Sequence, residues 1–184
     1  MTRRLVAVVL CLAALGACGV PIDKEPQTIG RSTTTTTVTP TTNASPGARE
    51  VAVYFLQDAH LVVQSYPVTG RPTLAAAIMF ALLPPAQGAP AGLRTAVPPD
   101  TRLLGAELSS NGEVATIDLG EGISSINGES QKQAFAQLVF TALAFGDVKQ
   151  VQFSIDGKAV DAPTDGANKR RVTASDYKPP LHPN

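Results

Sequence analysis

The chain has 184 residues, with 15 Lys and Arg balanced by 15 Asp and Glu, two histidines, two cysteines and no tryptophan. This balance, with only 5% aromatic residues, lacks the basic, aromatic-bearing surface of a nucleic-acid binder. Two histidines are too few for a His-based metal cluster, so neither a metal nor a cofactor is expected.

Residues 1–17 read as a signal peptide: Arg3 and Arg4 precede an uncharged run from Leu5 to Leu15, which closes on the small residues Gly16 and Ala17. About eleven apolar residues cannot span a bilayer core of about 30 Å, which needs about 20 as a helix. Leu15, Gly16, Ala17 and Cys18 resemble the lipobox of bacterial lipoproteins, whose cysteine is acylated and becomes the first mature residue. That resemblance implies a lipidated Cys18 and a membrane attachment through lipid at the extracytoplasmic face of the cell membrane. The chemistry agrees. Cys11 would leave with the leader, so Cys18 would have no intramolecular disulfide partner, and a thioether removes an otherwise exposed thiol. Loss of Arg3 and Arg4 leaves 13 basic against 15 acidic residues, a formal charge of −2.

Residues 18–49 carry RSTTTTTVTPTTNASPGAR, rich in Thr, Ser, Pro and Gly with almost nothing to bury. Such a segment cannot offset its ordering entropy and reads as a disordered linker. About 30 such residues have an end-to-end distance of roughly 30 Å.

Residues 50–161 are enough for one domain with its own core. EVAVYFLQ alternates, with Val51, Val53 and Phe55 on one face and Ala52, Tyr54 and Leu56 on the other. HLVVQSYPV follows a break at Asp58, so the pair reads as a hairpin. PTLAAAIMFALL predicts a helix with Leu74, Ala77, Ile78, Ala81 and Leu82 as its stripe and Pro84 and Pro85 as its stop. A Pro- and Gly-rich loop, AQGAPAGLRTAVPPD, comes next. Asn111 and Gly112 then join TRLLGAEL to GEVATIDL, the pair best suited to a type I′ turn. In the second helix Ser130 and Gln133 have capping-box spacing, Phe135, Leu138, Val139, Ala142 and Leu143 form the stripe, and Gly146 closes it. VQFSI is the last main strand, and Asp156 with Gly157 turns toward a short final one at Lys158–Val160. Residues 162–184 read as a polar, Pro-rich tail, with Lys169, Arg170 and Arg171 solvated. The order β-β-α-β-β-α-β predicts an α+β fold, a mixed or antiparallel sheet with two helices packed on one face.

Several blocks, VAVYFLQ, the helix ending LLPP, GLRTAVPPDTRLL, VATIDLG and QLVFTALAFGDVKQVQFSIDGKAV, together resemble the GerMN (germane) domain of sporulation and germination proteins and of LpqB-type lipoproteins. CGVP after the lipobox and RVTASDY near the end resemble the LpqB-type context. The resemblance covers about Val51 to Val160. It implies a small α+β module related to the ring-building domains of envelope-spanning complexes, with no established catalytic residues. It also implies envelope-protein partners, such as a sensor-kinase ectodomain or a multiprotein complex. There are two departures: LpqB-type chains continue into a β-propeller whereas this sequence runs to Asn184, and Pro84 stands where the family commonly has Gly.

The residues themselves offer little chemistry. A triad through His60 has no Gly-x-Ser-x-Gly elbow beside it, and His182 lies in the Pro-rich tail. Asp118 and Glu121 read either as a carboxylate pair or, more simply, as a strand end entering a solvated loop. Arg94, Thr95, Pro98 and Pro99 either cover the sheet or present a rigid surface to a partner. From Leu74 to Leu83 the first helix has no polar side chain, so Met79, Phe80 and Leu83 must be covered, by the long loop as the simpler solution or by a partner. The expectation is a non-enzymatic cell-envelope lipoprotein that binds proteins, with self-association also open. The alternative is an enzyme or carrier acting on cell-wall polymer or lipid.

Overall fold

The computed structural model describes residues 49–183; the leader, Cys18 and the Thr/Pro-rich linker lie outside them. Strands β1 (Arg49–Gln57) and β2 (His60–Val68) form an antiparallel hairpin with Gln57 opposite His60. Its two-residue turn takes positive φ at both Asp58 (48°) and Ala59 (68°), the type I′ geometry that matches strand twist. Helix α1 (Leu74–Leu82) follows, with Thr73 accepting the Ala76 N–H at 3.1 Å as its N-cap. The buried residues of α1 are Leu74, Ala77, Ile78, Ala81 and Leu82, the predicted stripe.

Strands β3 (Leu103–Leu108), β4 (Val114–Leu119), β5 (Gln150–Ile155) and β6 (Lys158–Val160) form a second sheet in that spatial order. β4 and β5 run parallel, connected through helix α2 (Gly128–Leu143), and the two outer pairings are antiparallel. The α+β class and the element order are those the sequence predicts; the strands divide into sheets of two and four. The reason lies on the free side of β1. There Leu56 exchanges backbone hydrogen bonds with Arg94 (2.9 and 2.8 Å), and the Tyr54 N–H donates to Thr141 Oγ1 at 3.0 Å. With a loop and a helix satisfying that edge, β1 has none left with which to join the larger sheet.

Three local expectations are corrected. The β3–β4 turn is not type I′, because only Gly112 has positive φ (76°). The Gly112 N–H donates to Ser109 O at 2.8 Å, and Asn111 Oδ1 accepts from Ser109 Oγ and the Glu113 N–H, which holds Asn111 out of the left-handed region. Helix α2 begins at Gly128 behind Asn127, so Ser130 lies inside it and caps nothing. Gly146 is left-handed (φ 60°) but two residues past the cap Ala144.

The segment from Ala162 onward is not a solvated tail. Ala162, Val172, Tyr177 and Leu181 are buried in the core, and Val172 exchanges two 2.9 Å backbone bonds with Val151 at the edge of β5. Tyr177 donates its hydroxyl to Pro163 O at 2.9 Å, and burial, with Asp176 and Asp165 nearby, pushes that phenol upward. Lys169 pairs with Asp176, and Arg170 lies 3.8 Å from Asp161, so part of the basic run is engaged.

Candidate functional site

Large apolar side chains are exposed at Met79 and Leu83 along α1, at Leu104 and Leu108 on β3 and at Val63 on β2. Ala75 and Met79, four residues apart, line one side of the helix, and Leu83 follows as its C-cap residue. Met79 is 47% and Leu83 50% exposed. The stripe runs into a groove of about 410 Å³ in which Thr73, Leu74 and Ala75 face Ala106, Leu108 and Phe145. Leu108 is itself exposed, at the edge strand β3. No acidic side chain stands in the first turn of α1 and no basic one in its last; the charged residue lining the groove is Arg71, just before the helix.

The expected covering is only partly realised. Phe80 stacks on Tyr66 of β2, centroids 4.7 Å apart, so a strand rather than the long loop shields it. The Tyr66 hydroxyl in turn accepts the Ala86 N–H at 3.1 Å. The loop itself crosses the C-terminal end of α1. Thr95 Oγ1 donates to Ala81 O at 2.8 Å, Gln137 Nε2 donates to the same carbonyl at 2.8 Å, and Gln137 Oε1 accepts the Ala96 N–H at 2.6 Å. Helix ends leave carbonyls without intrahelical partners; here a loop hydroxyl and a buried amide supply them. Thr95 is therefore spent inside the domain. Arg94 is fixed through its backbone to Leu56 while its side chain is exposed. Pro98 and Pro99 form a turn closed by the Thr101 N–H on Pro98 O at 3.0 Å. Of the seven candidate contact residues, Met79 and Leu83 share the free apolar face, and Arg94 and Pro99 are exposed elsewhere on the loop.

The chemistry-bearing residues are otherwise occupied. Asp118 accepts from Ser154 Oγ (2.6 Å) and the Gly157 N–H (3.0 Å), so it holds the β5–β6 turn. Glu121 lies instead beside Asp156 and Lys158 in a separate surface groove. His60 and His182 meet in one cleft of about 340 Å³ with Tyr54. Each ring places Nδ1 against a backbone carbonyl, Asp58 O at 2.9 Å and Pro183 O at 2.8 Å. Burial pushes the Tyr54 phenol upward, away from acting as a base near neutrality. Among the described residues the lining of that cleft contains no Asp, Glu or Ser, and no three His, Cys, Asp or Glu side chains converge as a metal site. Nor is any described helix long and apolar enough to cross a membrane.

A family model described as "Germane: Sporulation and spore germination" matches residues 52–161, more than half the chain. The chain belongs to the germane family. Its fold is similar to the first GerMN domain of the sporulation protein GerM from Bacillus subtilis, at 18% identity and TM-score 0.57, covering 70% of this chain and 99% of that one. The tandem GerMN domains of the same protein match at 18% identity and TM-score 0.58, over 70% of this chain and 47% of that one. No curated protein matches it.

Two parts of this germane domain escaped sequence reasoning. Gln137 sits amid the apolar run AFAQLVFTAL, and a polar residue at a buried helical position was the available signal. Tyr66 gave none, because an alternating strand does not say which helix residue its outward ring will meet.

Proposed function

We propose that this protein is a non-enzymatic cell-envelope lipoprotein, acylated at Cys18, whose germane domain binds another envelope protein at the outer face of the cytoplasmic membrane. The observation that carries the reading is the free side of α1: an all-apolar helix whose Met79 and Leu83 remain about half exposed after the domain has used its own loop and β2 elsewhere. Exposed apolar area of this kind, continuous with a groove, suits a protein partner. The Gln137–Thr95 network fixes the end of that helix, so the face is held in shape before binding, which lowers the ordering cost of association. Family membership supports a role in a multiprotein envelope assembly, and the lipobox resemblance supports the anchor; a sensor-kinase ectodomain is a partner of the same kind. The test has two arms. Mass spectrometry of the mature protein should find diacylglyceryl on Cys18, lost with release from the membrane in Cys18→Ala. Met79→Ser with Leu83→Ser should abolish co-isolation of the partner from native membranes without shifting the unfolding midpoint. An unlipidated Cys18, or unchanged co-isolation, would overturn the corresponding half.

A further inference from the structure

Among the described residues the outer edge of β2 is a second unpaired surface, and the register shows which of its backbone groups are open. The two-residue turn makes Gln57 and His60 a hydrogen-bonded pair, and bonded and non-bonded pairs alternate from there along the register. The backbone groups of Leu61, Val63, Ser65 and Pro67 therefore point away from β1. The same alternation points those of Leu56 and Tyr54 outward on the other side, where Arg94 and Thr141 meet them. On β2, among the described residues, the only bond to this outward set is from the side-chain amide of Gln64 to the neighbouring Val63 O, at 2.9 Å. Pro67, with no N–H, ends the usable run, as a proline on an edge strand does. What is left is a short edge from Leu61 to Ser65, in which Leu61 is 6% exposed and the central Val63 is 44% exposed.

We propose that this edge pairs with the same edge of a second copy, antiparallel about a two-fold axis at Val63. Val63 then exchanges both backbone bonds with Val63 of the second copy, and Leu61 does so with Ser65 of the second copy. Every outward N–H and C=O of the run finds a mate, and the contact is closed because each copy uses the same patch. The side chains fit the same geometry. By register, Leu61 and Val63 share a face with Leu56 and Tyr54, the face on which Tyr54, Pro180 and His182 line the cleft of about 340 Å³. Facing residues of a bonded antiparallel pair lie on one side of the sheet, so Val63 of the second copy comes to the mouth of that cleft. The two-stranded hairpin becomes part of a four-stranded sheet, above the size at which a hairpin alone is marginal. This contact is independent of the α1 face and stands or falls without it.

Cysteine crosslinking of the full-length protein in membranes tests the proposal. A bonded antiparallel pair places its Cα atoms about 5.5 Å apart, inside the roughly 4.4–6.8 Å window of a disulfide. Under mild oxidation Val63→Cys should give a disulfide dimer absent from wild type, Val62→Cys and Met79→Cys. The double variant Leu61→Cys, Ser65→Cys should crosslink as well, which keeps the test decisive if Val63→Cys does not fold. Dimer formation no greater at 63 than at 62, or crosslinking at 79 alone, would overturn it.

Discussion

The side-chain amide of Gln137 donates to the backbone carbonyl of Ala81 at 2.8 Å, tying the middle of α2 to the last turn of α1. Its carbonyl end simultaneously holds the Ala96 N–H, so one fully buried residue fixes helix and loop together. Gln137→Leu keeps the volume but leaves the Ala96 N–H without its acceptor. A buried group left unsatisfied costs about 1–3 kcal/mol. Urea unfolding should show a loss of that size, and amide exchange at Ala96 should accelerate; an unchanged midpoint would mean the loop is held by other contacts.

Gly122 lies in the short 3₁₀ turn Glu121–Ser125, against the backbone of Asp100 and Thr101. A Cβ there would stand 2.4 Å from Asp100 O and 2.7 Å from Thr101 N, with only backbone to move aside. Gly122→Ala is expected to destabilise by about 1–3 kcal/mol, the range of overpacking substitutions. A thermal melt superimposable on wild type would refute this close approach.

Acid should loosen the C-terminal segment first. Asp165 accepts from Lys132 Nζ at 2.8 Å and from the Lys178 N–H at 2.6 Å, and these bonds, Lys132 foremost, hold its carboxyl below the usual range. Burial acts to raise Asp176, but its bonds from Lys169 and Thr173 outweigh that and leave it lowered. A carboxyl lowered by folding contributes stability above its unfolded pKa, and the contribution fades as pH falls through the folded value. Stability should therefore decline from about pH 4 downward. Asp165→Asn should be less stable at pH 7 and show a shallower decline over that window. Parallel profiles for the two proteins would contradict the assignment.

Phe80 and Met79 are adjacent in sequence but should behave oppositely. Phe80→Ser removes the ring stacked on Tyr66 and should cost about 1–3 kcal/mol, below the 3–5 kcal/mol typical of a fully buried Phe. Met79→Ser, at a half-exposed position, should stay within about 0.5 kcal/mol of wild type. Comparable losses at both would show that Met79 is covered within the domain.

Much of the fold was legible because its signals are periodic. The α1 stripe recurs at helical spacing and every member is buried; β1 alternates cleanly, and Asp156–Gly157 turns as its residue types predict. What was illegible depends on distant partners. Ala59 takes positive φ although alanine gives no cue for it, because the hairpin register requires it. Asn111 avoids positive φ because Ser109 and Glu113 engage its side chain. Val172, Tyr177 and Leu181 are scattered among polar residues and prolines with no period to read, yet each is buried. For the site, the apolar excess on α1 was visible in sequence, whereas the division of labour was not: Phe80 is taken by Tyr66 and Thr95 by Ala81 and Gln137, leaving Met79 and Leu83.

The central claim, that this free side of α1 is a docking face for another envelope protein, is tested most directly by placing a photo-crosslinking side chain at position 79 of the full-length lipoprotein in its native membrane. A single envelope protein should crosslink at 79 and at 83, and not at the exposed Lys158 on the far strand β6. Equal labelling at all three positions, or none at 79 and 83, would contradict the account.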